Sequence, residues 1–229
     1  MSRSIVLVSV CIFVAWLLGQ SGYGQTGISE AKVIEQKFAE VWNKSKATIR
    51  QYTWKARTEV RRDNELMQVM TEQVSYGSGG REIRSVISNQ EAPLSSAPVI
   101  RDIAENKKSK IVAFMTGLRT FLEQYALDGD SLRTAFFSKA DISGPDDKGL
   151  IQVSGADVLA GGDRLKWWID TRSFSIAYAT VATTFEDTHI EFSATYYLLP
   201  GLNYMSQARI MVPVYDMLVT LKFYDYVKR

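Results

Sequence analysis

The sequence predicts an α+β fold: a strongly curved antiparallel sheet forming an unclosed β-barrel, with helices lidding its concave face. Three observations carry this prediction. Between Leu165 and Tyr226, apolar or aromatic residues recur at every second position over several runs. Glu186-Asp187, Leu199-Pro200-Gly201 and Pro213 to Asp216 separate the runs, so the pattern is that of strands joined by short turns. Three further alternating runs lie between Tyr52 and Ser88. Helical spacing is confined to two places, near the N-terminus and between residues 100 and 139, which is too clustered for alternating βαβ units. A sheet of about nine antiparallel strands curls on itself, and its apolar face needs a cover.

The totals bound the rest. A chain of 229 residues can build a sizeable core without covalent staples. Lys and Arg number 27 against 25 Asp and Glu, so no basic face for nucleic acid is expected. One cysteine and one histidine leave no set of metal ligands built on those residues, and no cofactor is expected. Residues 1–24 read as a secretory signal peptide: Arg3, an uncharged apolar run from Ile5 to Leu18, then Gly22-Tyr23-Gly24 before the cleavage point. The apolar run is short of the roughly 20 residues a spanning helix needs. The expected mature chain, 25–229, is a single domain without cysteine, exported and periplasmic or secreted. The overall charge of +2 becomes +1 once Arg3 is removed.

Each element follows from its spacing. From Ser29 to Thr48, Ile34, Phe38, Val41, Trp42 and Ser45 share a helical face, with Ser29 placed to cap it. Tyr52–Val60 alternates with Trp54, Ala56, Thr58 and Val60 inward. Arg62 to Glu65 turns into a strand over Leu66–Tyr76, and the Gly77-Ser78-Gly79-Gly80 loop turns into another over Arg81–Ser88. A glycine cluster can cradle phosphate, but a P-loop also needs its lysine and a following helix, and a strand follows here. Asn89–Pro98 reads as a linker. Ile111, Met115, Leu118, Leu122 and Tyr125 repeat at helical intervals, and Leu132–Lys139 forms a second short helix. Asp128-Gly129-Asp130 separates the two helices, and Leu150–Ser154 opens the last sheet section. Of Trp167-Trp168, one is expected in the core and the other against a helix or rim. Pro213 cannot donate to a strand ladder and marks an edge or a bulge.

The order of helix, three strands, helices and strands resembles that of the outer-membrane lipoprotein carrier and sorting superfamily, with its LolA-like half-barrel. So does Trp168-Ile169-Asp170-Thr171-Arg172-Ser173-Phe174, a strand ending Trp-x-Asp before a Thr/Ser turn. Pro200-Gly201-Leu202-Asn203-Tyr204 and the Val212-Pro213 step are similar to a later turn and strand of that superfamily. The Arg-Pro with Phe-x-Trp pattern and the Asp-Gly-x-x-Leu-Trp step of its best-known carrier are missing, and the central insert is longer. The resemblance implies an open barrel with a helical lid and a cavity for acyl chains.

Such a cavity needs apolar walls and few polar groups. Each buried CH₂ contributes about 0.8 kcal/mol, against several kcal/mol of ordering and association cost. The candidate wall is Trp54, Met70, Phe174, Ile176, Tyr178, Ile190, Phe192 and Tyr196, and the candidate lid is Met115, Leu118, Phe121 and Leu122. The expected partner is a lipid or an acylated lipoprotein, carried by a monomer between membrane-associated donor and acceptor proteins. The alternative is an envelope scaffold or interaction module in which the same residues fill a solid core. An enzyme is not expected. His189 and Glu191 share a strand face, but no Gly-x-Ser-x-Gly elbow or cysteine nucleophile accompanies them.

Overall fold

The computed structural model describes residues 23–91 and 113–229. The expected leader up to residue 22, the linker beyond Glu91 and the first half of the central insert lie outside the described residues. Helix α1 spans Tyr23–Ile49, α2 covers residues 113–123, and α3 spans Asp130–Phe137. Ten strands follow the order β1 (Tyr52–Arg62), β2 (Glu65–Tyr76), β3 (Glu82–Glu91), β4 (Asp141–Ser143), β5 (Leu150–Ala156), β6 (Arg164–Asp170), β7 (Ile176–Phe185), β8 (Thr188–Leu199), β9 (Leu202–Val212) and β10 (Met217–Lys228).

All strand pairs are antiparallel, and the sheet order is β3-β2-β1-β10-β9-β8-β7-β6-β5-β4. Because β3 and β4 occupy opposite edges, the sheet is not closed. That order also explains the lid. β3 and β4 lie at opposite edges, and the described helices between them in sequence, α2 and α3, pack on the concave face.

Turn chemistry sets the hairpins. Asp63-Asn64 and Glu186-Asp187 each place two successive residues at positive φ, the geometry that matches strand twist in a two-residue hairpin. Asp170 organises the β6–β7 turn. Its Oδ1 accepts the N–H groups of Arg172 at 2.8 Å and Ser173 at 3.0 Å. The bond from the Arg172 guanidinium, opposed by desolvation and helped by those N–H groups, holds the Asp170 carboxyl below its usual range.

The structure corrects several expectations. α1 begins six residues before Ser29, which therefore sits inside the helix instead of capping it, since nothing before it breaks helical geometry. β3 runs on to Glu91, into the expected linker, because its pairing with β2 continues to Gln68↔Glu91. A short strand, β4, pairs with β5 ahead of the predicted sheet section. Pro213 opens a 3-10 turn, Pro213–Tyr215, between β9 and β10; its fixed φ suits that first position, so no ladder bond is lost.

Three apolar clusters form the interior. The first joins Ile34 and Phe38 of α1, Phe136 and Phe137 of α3, and Trp167, Ile169, Ile176, Ala179 and Val181 of the sheet. Trp167 is the core member of the tryptophan pair, with Phe38 at 5.0 Å and Phe136 at 5.2 Å between ring centres. The second gathers Leu118 of α2 with Ile190, Ile210, Val212, Met217 and Val219. The third sits under the end of α1 and holds Trp54, Ala56 and Val74. Gly155 lets α3 approach β5 this closely, since a Cβ there would meet Phe136 Cε2 at 2.9 Å.

Candidate functional site

Strand register arranges the concave face in rows. Ala179, Ala194 and Ala208 stand in line across β7, β8 and β9, and the row continues through Leu221, Thr58 and Met70. The next row is Val181, Phe192, Ile210, Val219 and Val60. Three aligned alanines lower the floor between rows of large side chains. All three alanines are buried, and Ala179 belongs to the first cluster.

α2 supplies the cover. Its Leu118 is fully buried in the second cluster, and Met115, Phe121 and Leu122 pack beside it, half-buried. Phe121, Leu122 and Phe192 touch both the first and second clusters. They mark the seam where helix and sheet meet. Tyr196 flanks this seam on the first cluster and keeps a partly accessible surface. Burial alone raises its phenol pKa well above the ordinary value, with no charge or hydrogen bond contributing.

Polar groups fix the two ends of this cover. Tyr125, just after α2, donates its hydroxyl to Asp163 Oδ2 at 2.7 Å and lies 2.8 Å from Thr183 Oγ1 on β7. Desolvation pushes the Asp163 carboxyl up, but the N–H groups of Leu159 and Ala160, the Tyr125 hydroxyl and the N–H of Val158 outweigh it and hold the pKa low. On the other side of the seam, Asn203 clamps α1. Its amide accepts from Ile176 N at 3.1 Å and donates to Ile176 O at 3.0 Å, while its backbone N–H reaches Ser45 Oγ at 2.9 Å.

The predicted residues divide. Ile176, Ile190, Phe192 and Tyr196 meet the helical layer, together with all four lid residues. Trp54 and Met70 share the concave face but lie on the β1–β2 side; Trp54 stacks on Tyr226 at 5.5 Å in the third cluster. Two residues leave the wall. A bulge at Trp168/Ile169 shifts the alternation, so Tyr178 pairs with Trp168 on the outer face, rings 5.1 Å apart. Phe174 precedes β7 in the turn, at φ 52°, with Lys37 Nζ 4.6 Å from its ring centre. His189 and Glu191 stand on the outer face, 3.5 Å apart and both exposed, with no nucleophile between them among the described residues.

Sequence reasoning missed the alanine row and the Asn203 clamp. The alanines could be aligned only with the registers known. Asn203 fell inside a quoted motif, but its partners are 27 and 158 positions away.

No protein-family profile matches the chain, and no curated protein matches it in sequence. The structure is similar to that of a DUF1329 family protein from Desulfovibrio piger, at 9% identity and a TM-score of 0.45, over 86% of this chain and 92% of that one. It is also similar to a LolA superfamily protein from Nitrosomonas europaea, at 11% identity and a TM-score of 0.39, over 83% of this chain and 92% of that one. At these identities the likeness concerns the course of the chain alone.

Proposed function

We propose that the protein is a non-enzymatic, exported lipid- or lipoprotein-binding protein that takes an acyl chain into the seam between α2 and the sheet. One observation carries this reading: Phe121, Leu122 and Phe192, the side chains that pack on both clusters, and Tyr196 beside them are only half-buried where α2 meets the sheet. α2 stays down over the trough when empty, and swings on its Tyr125 anchor to admit the chain. An isolated helix of this length is marginal in water, so its contacts with the sheet hold it closed. The chain's apolar contacts then replace those that α2 gives up.

A filled core also has a specific observation in its favour. Leu118, Ile190 and Val212 are already in close contact and fully buried. On that reading the protein is an envelope scaffold, and α2 does not move. Native mass spectrometry of protein released gently from its source decides between them. A co-purified lipid adduct, or a 1:1 adduct after incubation with palmitate, supports the carrier reading. A bare mass in both cases contradicts it.

A further inference from the structure

We propose that the cleft between the end of α1 and the β2–β3 loop is a binding site for a phosphate monoester-type anion. The cleft has a volume of about 560 Å³, within the range of small-molecule sites, and is lined by Arg50, Tyr76, Gly77, Ser78, Gly79, Gly80 and Arg229. This proposal does not rest on the acyl-chain reading.

Two guanidinium groups meet a glycine loop here. A Cβ placed on Gly80 would lie 3.9 Å from both Cζ and Nη1 of Arg50, so that guanidinium stands directly over the loop. Gly80 holds φ +71°, a conformation that glycine adopts without strain. Within the loop, Gly77 N–H donates to Arg81 O and Gly80 N–H to Gly77 O. Ser78 and Gly79 keep their N–H groups free of partners among the described residues, and nothing lies within 4 Å of a Cβ placed on Gly79. Free backbone N–H groups beside arginines are the donor set that holds phosphate oxygens.

The surroundings favour an anion. Neither Arg50 nor Arg229 has an ion-pair partner among the described residues. The side-chain carboxylate of Glu82 is already engaged with Arg84 at 2.6 Å and Arg119 at 3.1 Å, and that of Asp128 with Lys46 at 3.1 Å. Carbonyls at the end of α1 would repel an anion, but Arg229 satisfies two of them. Its Nη2 donates to Arg50 O at 2.8 Å, and its N–H donates to Gln51 O at 2.7 Å. Tyr76 then opens an aromatic row across five strands, through Trp54, Tyr226 and Tyr204 to Tyr197, at ring spacings of 5.9, 5.5, 4.2 and 6.4 Å. A phosphate in the cleft therefore has an apolar path beside it for any attached chain.

Calorimetric titration of the full exported chain with inorganic phosphate, glycerol 3-phosphate, dodecyl phosphate and dodecanol tests this. The variants are Arg50→Gln and Gly79→Asp, the second placing a carboxylate in open space, with circular dichroism confirming that both are folded. Dodecyl phosphate affinity is expected to fall at least tenfold in each variant, while any dodecanol binding stays unchanged. If inorganic phosphate or glycerol 3-phosphate binds with the same dependence on Arg50, soluble phosphates are the source. If only dodecyl phosphate binds, the source is a lipid headgroup. Absence of binding by every phosphate probe, or equal binding by folded variants and wild type, overturns the proposal. Dodecanol binding alone would leave the acyl reading standing and remove this one.

Discussion

The Tyr125 hydroxyl donates to Asp163 Oδ2 at 2.7 Å across 38 positions of sequence, tying the end of α2 to the loop before β6. Asp163 also accepts the N–H groups of Val158, Leu159 and Ala160 at 2.6 to 2.9 Å. Both residues are buried, so removing either leaves a polar group without its partner. Tyr125→Phe is expected to cost about 1–2 kcal/mol, and Asp163→Asn about 2–4 kcal/mol, in urea unfolding.

The same carboxylate gives a pH dependence. Its folded pKa lies below the ordinary value of 3.8, so its contribution is complete above that value and is lost as pH falls through the lower folded one. Wild-type stability should therefore carry a downward component below about pH 4. That component should be missing in Asp163→Asn. An identical pH profile for the two proteins would contradict the assignment.

Leu118→Ala should loosen α2 selectively. Truncating a fully buried leucine costs about 2–5 kcal/mol. Hydrogen exchange should accelerate over residues 113–123 and remain slow in β6 and β7. Uniform acceleration would mean that α2 is an inseparable part of the core.

Asn203→Ala should loosen the start of β7 from β9, while the backbone N–H bond to Ser45 of α1 is kept. It strips both the N–H and the carbonyl of Ile176 of their side-chain partner in a buried place, at a cost of about 2–4 kcal/mol. Asn203→Asp should not restore stability, because a carboxylate cannot donate to Ile176 O. Equilibrium denaturation of the two variants checks this.

Two glycines should behave oppositely. Gly155→Ala forces its Cβ against Phe136 at 2.9 Å and should cost about 1–3 kcal/mol. Gly79→Ala meets nothing within 4 Å and should change stability by less than about 0.5 kcal/mol. Thermal melts of the pair distinguish close packing from loop freedom.

Much of this fold was legible in local patterns. Alternation placed β1, β2, β7, β8, β9 and β10, and the i, i+4 spacing of Ile34 and Phe38 gave the buried face of α1. The helical repeat through Leu118 and Leu122 likewise marked the cover. What alternation could not give was its own interruption. The bulge at Trp168/Ile169 moves Tyr178 to the outer face, while the bulge at Thr195/Tyr196 lies between Ala194 and Tyr196 without removing Tyr196 from the first cluster. A bulge needs a partner strand to define it, and one sequence does not carry the register. The pairing of β1 with β10 is likewise a long-range fact, and it puts β3 and β4 at opposite edges of the sheet. The Arg50–Arg229 cleft depends on that pairing too, since it joins residues 179 positions apart.

Tryptophan quenching by 9,10-dibromostearate tests the central claim most directly. Trp42 of α1 borders the first cluster, and Trp168 stands on the outer face against Tyr178. Two variants of residues 25–229, each retaining one of these tryptophans with phenylalanine at the other tryptophan positions, report separately. An acyl chain between α2 and the sheet should quench Trp42 saturably at one equivalent and leave Trp168 unchanged. No quenching of Trp42, or equal quenching of both, would contradict it.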